Sequence, residues 1–337
     1  MQIEDYKGIW VFAEQREGKL LDVGLELLGA GRILADKLGE ELSAVVFGSK
    51  VGSLADELAA YGADKVYVAD SPILEVYRND SYSLVLTDLV NQYKPSTLLV
   101  GGTAIGMDMA PRVAAKLGTG LSAHAVGLEL DKDNCMLAQV PGFGGSVMAS
   151  IACSKYRPQM TTVPAGFLQK PEKAAGKKAK VESVKVSITE KDVRTKVLKV
   201  FREEPKGKPI GQAETVVCGG FGIGGKENWK MVESLAAVLG ASVGATRPAC
   251  DEGWAVQEQQ MVGQSGKTIH PKLYIGVGIS GVIHHLIGIK DSKIIVAVNK
   301  DGKSPLAKAA DYVIESDFRE VLPVLIEELK KAKTQAA

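Results

Sequence analysis

Two glycine-punctuated turns, and the polar residues around them, carry the chemistry this sequence can perform. "GFGIGG" sets Gly220, Gly222 and Gly225 in G-x-G-x-x-G spacing after the apolar run "TVVC". "GVGISG" repeats the spacing with Gly276, Gly278 and Gly281 after "KLYI". Glycines so placed at a strand-to-helix turn let backbone N–H groups approach a pyrophosphate. The second turn continues through Ser280, Gly281, Val282 and Ile283 into the adjacent His284 and His285. Between the turns stand Thr246 and Arg247 in "GATRPACDEG", then Val262, Gly263, Gln264 and Ser265 in "VGQSGKT". These residues supply a permanent cation, amide and hydroxyl donors, and two imidazoles. Cys250 lies nearby, but no base or orienting partner is spaced to activate it as a nucleophile.

The glycine spacing alone does not select the ligand. A nicotinamide-binding domain holds the ribose through an Asp or Glu about 20 residues beyond its glycines. Arg247 occupies that place here, and Asp251 follows only later. The arginine either suits a 2′-phosphate or serves a different cofactor pose. A second clue is the long connection from Pro248 to Pro271. Loops of that length inside a compact α/β domain are usually functional, and this one can fold over a bound ligand.

The elements that must position these residues follow from periodicity. "GIWVFAE" (8–14) reads as a strand and Leu20 to Leu38 as an amphipathic helix. Strands at 42–48, "KVYVAD" and 96–102 alternate with helices at 51–62, 82–94 and 104–118. Such βα alternation predicts a parallel sheet with helices on both faces. Short strands from Leu121 to Val163, "GFGGSVMASIAC" among them, extend the same domain. The lysine-rich stretch 169–180 reads as a solvated linker, and 181–188 as a strand. Alternation restarts with strands at 214–218, 241–246, 272–277, 293–298 and 312–314 and helices at 226–239, near 281–288 and at 317–332. The expected fold class is α/β, two doubly wound parallel-sheet domains. An N-terminal domain spans 1–200, a linker 201–213 and a ligand-binding domain 214–337. In open parallel sheets ligands sit at the carboxyl ends of strands. That rule gathers 219–225, Arg247, "GISGVIHH" and Asn299 along one edge.

Composition excludes several classes. Across 337 residues, 41 Lys and Arg nearly balance 40 Asp and Glu, so no global field points to nucleic acid or an anionic membrane. Apolar runs fall short of the roughly 18 to 20 residues of a membrane span, and the N-terminus has no basic, cleavable signal. Four scattered cysteines support neither a zinc site nor a disulfide framework. The reading is a cytoplasmic protein with reduced thiols.

"GATRPACDEG", "VGQSGKTIHPKLYIGVGISGVIHHLIGIKDSKIIVAVNKD" and "AADYVIESD" together resemble the FAD domain of the electron-transferring flavoprotein (ETF) α subunit. "APRVAAKLGTGLSA" and "RPQMTTVPAG" extend the resemblance over the N-terminal half. The resemblance implies an adenine nucleotide α-hydrolase-like N-terminal domain without its own cofactor and a DHS-like FAD-binding C-terminal domain. It implies a heterodimer with an ETF β subunit, which holds AMP or a second FAD. Electrons would come from an acyl-CoA or related dehydrogenase and leave to ETF-quinone oxidoreductase or, in bifurcating complexes that oxidise NADH, to ferredoxin or flavodoxin. "DYKGIWVFAEQREGKLLDVGLELLGAGRILAD" is similar to the N-termini of the anaerobic bifurcating group.

By matching position, Thr246 and Arg247 would lie against the isoalloxazine. Gln264 and Ser265 sit in the "VGQSG" segment, where the Ser265 hydroxyl, in place of the family's more common threonine, would donate to flavin N5. Ser280 to His285 would wrap the pyrophosphate and pyrimidine edge, with His285 as a donor near the C2 carbonyl and His284 on the pyrophosphate side. Asn299, Asp317 and Phe318 would hold the ribityl or adenosine portion. Phe221 departs from the arginine common in the family, which puts one charge-assisted phosphate contact in doubt. His124 and His270 read as structural, and Trp254 as an interface residue. The competing readings are a stand-alone NAD(P)- or FAD-dependent oxidoreductase, for which no hydride-transfer acid or base stands out, and a non-redox nucleotide-binding or assembly module.

Overall fold

The computed structural model describes residues 3–142, 147–174, 176–201 and 209–336. The chain divides into two compact units, Met1–Val200 and Phe201–Ala337. Most of the expected linker 201–213 falls on 202–208, and part of "GFGGSVMASIAC" on 143–146; both lie outside the described residues. No described helix is long and apolar enough to cross a membrane.

The first unit is built on a seven-stranded, wholly parallel sheet. Its order is Lys180–Ser183, Lys65–Asp70, Leu42–Gly48, Ile9–Phe12, Thr97–Gly101, Gln159–Val163, Leu121–Ser122. Apolar residues are continuous in the central strands because helices cover both faces. Within Ile9–Phe12, Ile9 and Val11 enter one core with Leu25, Leu28 and Leu34 of the helix Asp22–Leu38. Trp10 and Phe12 enter the other with residues of the helices Asn79–Tyr93 and Ala104–Leu117. The strands Gly127–Leu130, Met136–Gly142 and Val147–Ala152 form a separate antiparallel sheet.

The lysine-rich stretch 169–180 is not a free linker. Ala174 N–H donates to the Ala60 carbonyl at 2.9 Å, Lys170 pairs with Asp22 at 2.7 Å, and Lys177 donates to the Gly62 carbonyl at 3.0 Å. The chain then adds Lys180–Ser183 in parallel to the edge strand Lys65–Asp70, with Lys65 and Glu182 2.7 Å apart. A sheet edge presents unpaired backbone groups, and pairing them outweighs the solvation of the lysines.

The second unit is a five-stranded parallel sheet in the order Ser242–Ala245, Thr215–Gly219, Leu273–Val277, Ile295–Asn299, Tyr312–Glu315. Counted within the unit, this is order 2-1-3-4-5. The topological switch point therefore lies between its first and third strands. The helices Lys226–Leu239 and Phe318–Ala336 share one core through Trp229, Val232, Leu235, Phe318 and Leu322. Val216, Cys218, Tyr274, Ile279 and Leu306 fill the other. The helix expected near 281–288 contracts to Ile283–Leu286. Gly278 and Gly281 have φ of 62° and 79°, left-handed values that a continuous α-helix does not contain.

Candidate functional site

The two glycine turns meet at the switch point. Gly222 N–H donates to the Gly278 carbonyl at 3.0 Å, and Gly220 N–H to the Val277 carbonyl at 2.9 Å. Around them opens a cavity of about 740 Å³ at the carboxyl ends of the strands. That volume is in the range of cofactor sites.

From the second strand of this unit come Thr246 and Arg247. The Thr246 hydroxyl oxygen is buried without a hydrogen-bond partner. The Arg247 side chain is 68% exposed, 3.7 Å from Asp251, so its cation is loosely held and able to reach a ligand. Cys250 beside them is buried, and burial pushes its thiol up to about 11. It is no nucleophile at neutral pH.

The loop bearing Val262, Gly263, Gln264 and Ser265 forms a second wall. Val262 N–H donates to the Ala245 carbonyl at 2.9 Å, and Gly266 N–H to the Gly263 carbonyl at 2.9 Å. Gln264 is tied to the histidine pair twice: its N–H donates to the His284 carbonyl at 2.7 Å, and its side-chain oxygen lies 2.6 Å from His284 Nδ1. An amide oxygen only accepts, so Nδ1 carries the hydrogen and His284 keeps Nε2 for a ligand.

Gly278, Ser280, Gly281, Val282, His284, His285, Asn299 and Phe318 also line the cavity. His285, expected as a donor near the flavin C2 carbonyl, has both ring nitrogens engaged by neighbours within the fold. It is 4% exposed, with Nε2 2.7 Å from the Tyr274 hydroxyl and Nδ1 3.1 Å from the Val262 carbonyl. Burial, partly opposed by that carbonyl, lowers its pKa to about 4, so the ring is uncharged at neutral pH. The Asn299 carboxamide is likewise engaged: it donates to the Ile279 carbonyl at 2.7 Å and accepts from Asp301 N–H at 3.1 Å. It braces two strand-end loops against each other.

Two expected residues are not in the wall. Ile283 is 55% exposed on the short helix. Asp317 lies between Arg319 and Lys300, at 2.7 and 2.8 Å. Those partners, Arg319 foremost, hold its carboxyl well below the usual carboxylate range. The two cations saturate it from within the fold.

The structure adds lining residues that motif reading passed over, among them Lys300, Ser304 and Ser316. Lys300 directly follows Asn299, so the strand-end rule could have found it. Ser304 is 4% exposed and accepts from Ala307 N–H at 3.3 Å, and the Ser-Pro pair is its sequence signal. Phe221 stacks on Trp254 with centroids 5.8 Å apart and planes 11° from parallel. Trp254 thereby packs against its own unit, with Trp229 6.4 Å away. No group of three or more potential metal ligands occurs among the described residues.

Comparison with known families decides what this architecture is. The model described as the electron transfer flavoprotein domain matches residues 9–189, and the electron transfer flavoprotein FAD-binding domain matches residues 209–290.

The chain belongs to the electron transfer flavoprotein α-subunit family.

An electron transfer flavoprotein subunit alpha of Thermoanaerobacterium thermosaccharolyticum is 46% identical, over 98% of this chain and 100% of its own. Protein FixB of Clostridium saccharobutylicum is 48% identical over 98% of each chain. The acryloyl-CoA reductase electron transfer subunit beta of Anaerotignum propionicum is 39% identical over 98% of each. The FAD-binding match spans the first three strand ends of the second unit, where both glycine turns, Arg247 and the Val262–Gly266 loop lie.

The residues present fit a flavin dinucleotide of this family. The orphaned Thr246 hydroxyl needs a partner that a polar ring edge offers. Arg247, only loosely paired with Asp251, puts a cation on the wall of a site for an anionic ligand, while Lys300 beside it is paired with Asp317.

Proposed function

We propose that this chain is the FAD-carrying α subunit of a heterodimeric electron-transferring flavoprotein, paired with a β subunit in the cytoplasm. It takes electrons from an acyl-CoA or related dehydrogenase and delivers them to a downstream acceptor. The observation that carries the reading is the cavity at the switch point, where Thr246, Arg247, Gln264, Ser265 and the Gly278–His285 turn converge.

FAD, when bound, supplies redox chemistry in one- and two-electron steps. The chain's own residues bind and orient it. The Gly278–Gly281 turn turns backbone toward the pyrophosphate, and His284 Nε2 is available beside it. Arg247, with its permanent charge, favours added negative charge on the isoalloxazine; each ~1.4 kcal/mol of such preference is about tenfold in equilibrium. The Thr246 and Ser265 hydroxyls and the Gln264 amide give donors near that ring. The Met261–Gly266 loop forms one wall of the site.

The complex is of the bifurcating type in this proposal. It then holds a second FAD in the β subunit, oxidises NADH, and uses ferredoxin or flavodoxin as one acceptor; with AMP in that place it serves ETF-quinone oxidoreductase. Support for the bifurcating type comes from the N-terminal similarity, and the Anaerotignum relative, an electron transfer subunit of an acryloyl-CoA reductase, supports an acyl-CoA-type redox partner.

Co-expression with its β partner tests both levels. The expected product is a yellow heterodimer with two flavins, oxidising NADH only when a low-potential acceptor is present. A colourless complex that cannot take up FAD overturns the binding proposal, and one flavin with no NADH oxidation overturns the bifurcating one.

A further inference from the structure

The proton positions around His285 follow from the one neighbour that cannot change role. Val262 offers a carbonyl oxygen to Nδ1 at 3.1 Å, and a carbonyl only accepts. Nδ1 must therefore carry the hydrogen. An uncharged ring then has a bare Nε2, which lies 2.7 Å from the Tyr274 hydroxyl. Tyr274 has a hydrogen to give. The Cys218 thiol neighbours that hydroxyl. The pair Tyr274 O–H to His285 Nε2 and His285 Nδ1–H to Val262 satisfies both ring nitrogens without help from solvent.

Both alternatives fail on physical grounds. Moving the hydrogen to Nε2 would set two lone pairs against each other at Val262 and leave a buried acceptor unpaired. Protonating the ring would bury a charge with no carboxylate to balance it. The titratable groups facing the ring are Tyr274 from the strand Leu273–Val277 and, through it, Cys218 from the strand Thr215–Gly219. From the Met261–Gly266 loop the Val262 carbonyl faces the ring. Burial pushes the Cys218 thiol up to about 12 and raises Tyr274 well above its ordinary value, so both stay neutral.

We infer that Tyr274 is a positioning residue of this site: its buried hydroxyl donates to His285 and holds that ring as the uncharged Nδ1–H tautomer in the cavity wall. The consequence for electron transfer rests on the flavin-site reading above. Positive charge at the cavity comes from Arg247, since Lys300 is paired with Asp317, and His285 contributes a neutral side chain to the wall.

The test uses the complete heterodimer with ¹⁵N-labelled histidine, compared with Tyr274→Phe, with His285 assigned by a His285→Asn variant. Long-range proton–nitrogen correlation reads tautomer and charge from about pH 5.5 to about pH 8.5, the window in which an ordinary histidine titrates. In the native protein His285 shows a protonated Nδ1 and an unprotonated Nε2 throughout. In Tyr274→Phe the Nε2 resonance moves to the position of a nitrogen without a donor. A proton on Nε2 or a charge change inside the window overturns the inference, and so does an Nε2 resonance unmoved by Tyr274→Phe. Should that variant fail to fold, the native titration alone decides. Visible absorbance of the same sample reports the flavin separately. A flavin-free complex with the expected tautomer defeats the cofactor reading and leaves this assignment standing.

Discussion

Gly288 and Gly263 meet backbone to backbone. A Cβ on Gly288 would fall 2.6 Å from both the Cα and the amide nitrogen of Gly263. Through this contact, and the 2.9 Å bond from Ile269 N–H to the Gly288 carbonyl, the Met261–Gly266 loop seats on the histidine turn.

Gly288→Ala therefore has no room unless the loop lifts. The expected cost is about 1–3 kcal/mol of stability, the usual range for overpacking, together with faster loss of flavin as Gln264 and Ser265 move outward. Denaturant unfolding and the flavin retained through gel filtration check both. Unchanged retention would show that the loop does not cover the cofactor.

Arg247→Ala should lower the potential at which the bound flavin takes its first electron. The native cation is weakly paired, 3.7 Å from Asp251 and 68% exposed, so its field is available to the ligand. A shift on the order of 60 mV corresponds to ~1.4 kcal/mol for one electron. Arg247→Lys, which keeps the charge and loses the planar fork, should fall between. Spectroelectrochemical titration gives the values, and an unshifted potential removes Arg247 from this role.

Burial of His285 makes the second unit sensitive to acid. Its folded pKa of about 4 lies below the ordinary value of 6.5, so the unfolded chain binds the extra proton between the two. The contribution is complete above pH ~6.5 and disappears as pH falls toward 4, about 3 kcal/mol in total. Between pH 7 and pH 5, His285→Gln should lose about 2 kcal/mol less stability than the native chain. Parallel pH dependence in the two proteins would exclude a buried, neutral His285.

The thiols should differ sharply in reactivity. Cys250 and Cys218, raised to about 11 and about 12, hold less than about one thiolate in a thousand at pH 7.5. Cys153 is only half-buried. Iodoacetamide applied to the folded heterodimer should label Cys153 first and leave Cys218 and Cys250 intact, as peptide mass spectrometry would show. Early labelling of Cys250 would mean that the wall around Thr246 opens.

Periodicity in the sequence was enough to place the central strands of both units, because a buried parallel strand must be apolar on both faces and end in a turn. The expected strand 181–188, by contrast, is a strand only over Lys180–Ser183. Leu42–Gly48 and Lys226–Leu239 coincide with the segments read from pattern alone. The strand-end rule likewise gathered Arg247, the Gly278–His285 turn and Asn299 at one edge, since side chains at those ends share a location whatever their identity. Misreadings arose where a segment's partner is distant in sequence. Lysines 170 and 177 signalled solvent, yet Asp22, Gly62 and Asp64 lie waiting for them more than a hundred residues earlier.

Residue types and spacing thus determined the sheets, the glycine turns and the presence of a cation where a ribose-binding acid would stand. Only the tertiary structure decided what each polar atom does. Asn299 and Asp317 are occupied by Ile279, Asp301, Lys300 and Arg319, and His285 is turned inward to Tyr274 and Val262. Thr246 alone among the expected site side chains keeps a buried, partnerless polar atom. A donor or acceptor is available to a ligand only if no neighbour has satisfied it, and those neighbours are assembled by strand order rather than by proximity along the chain.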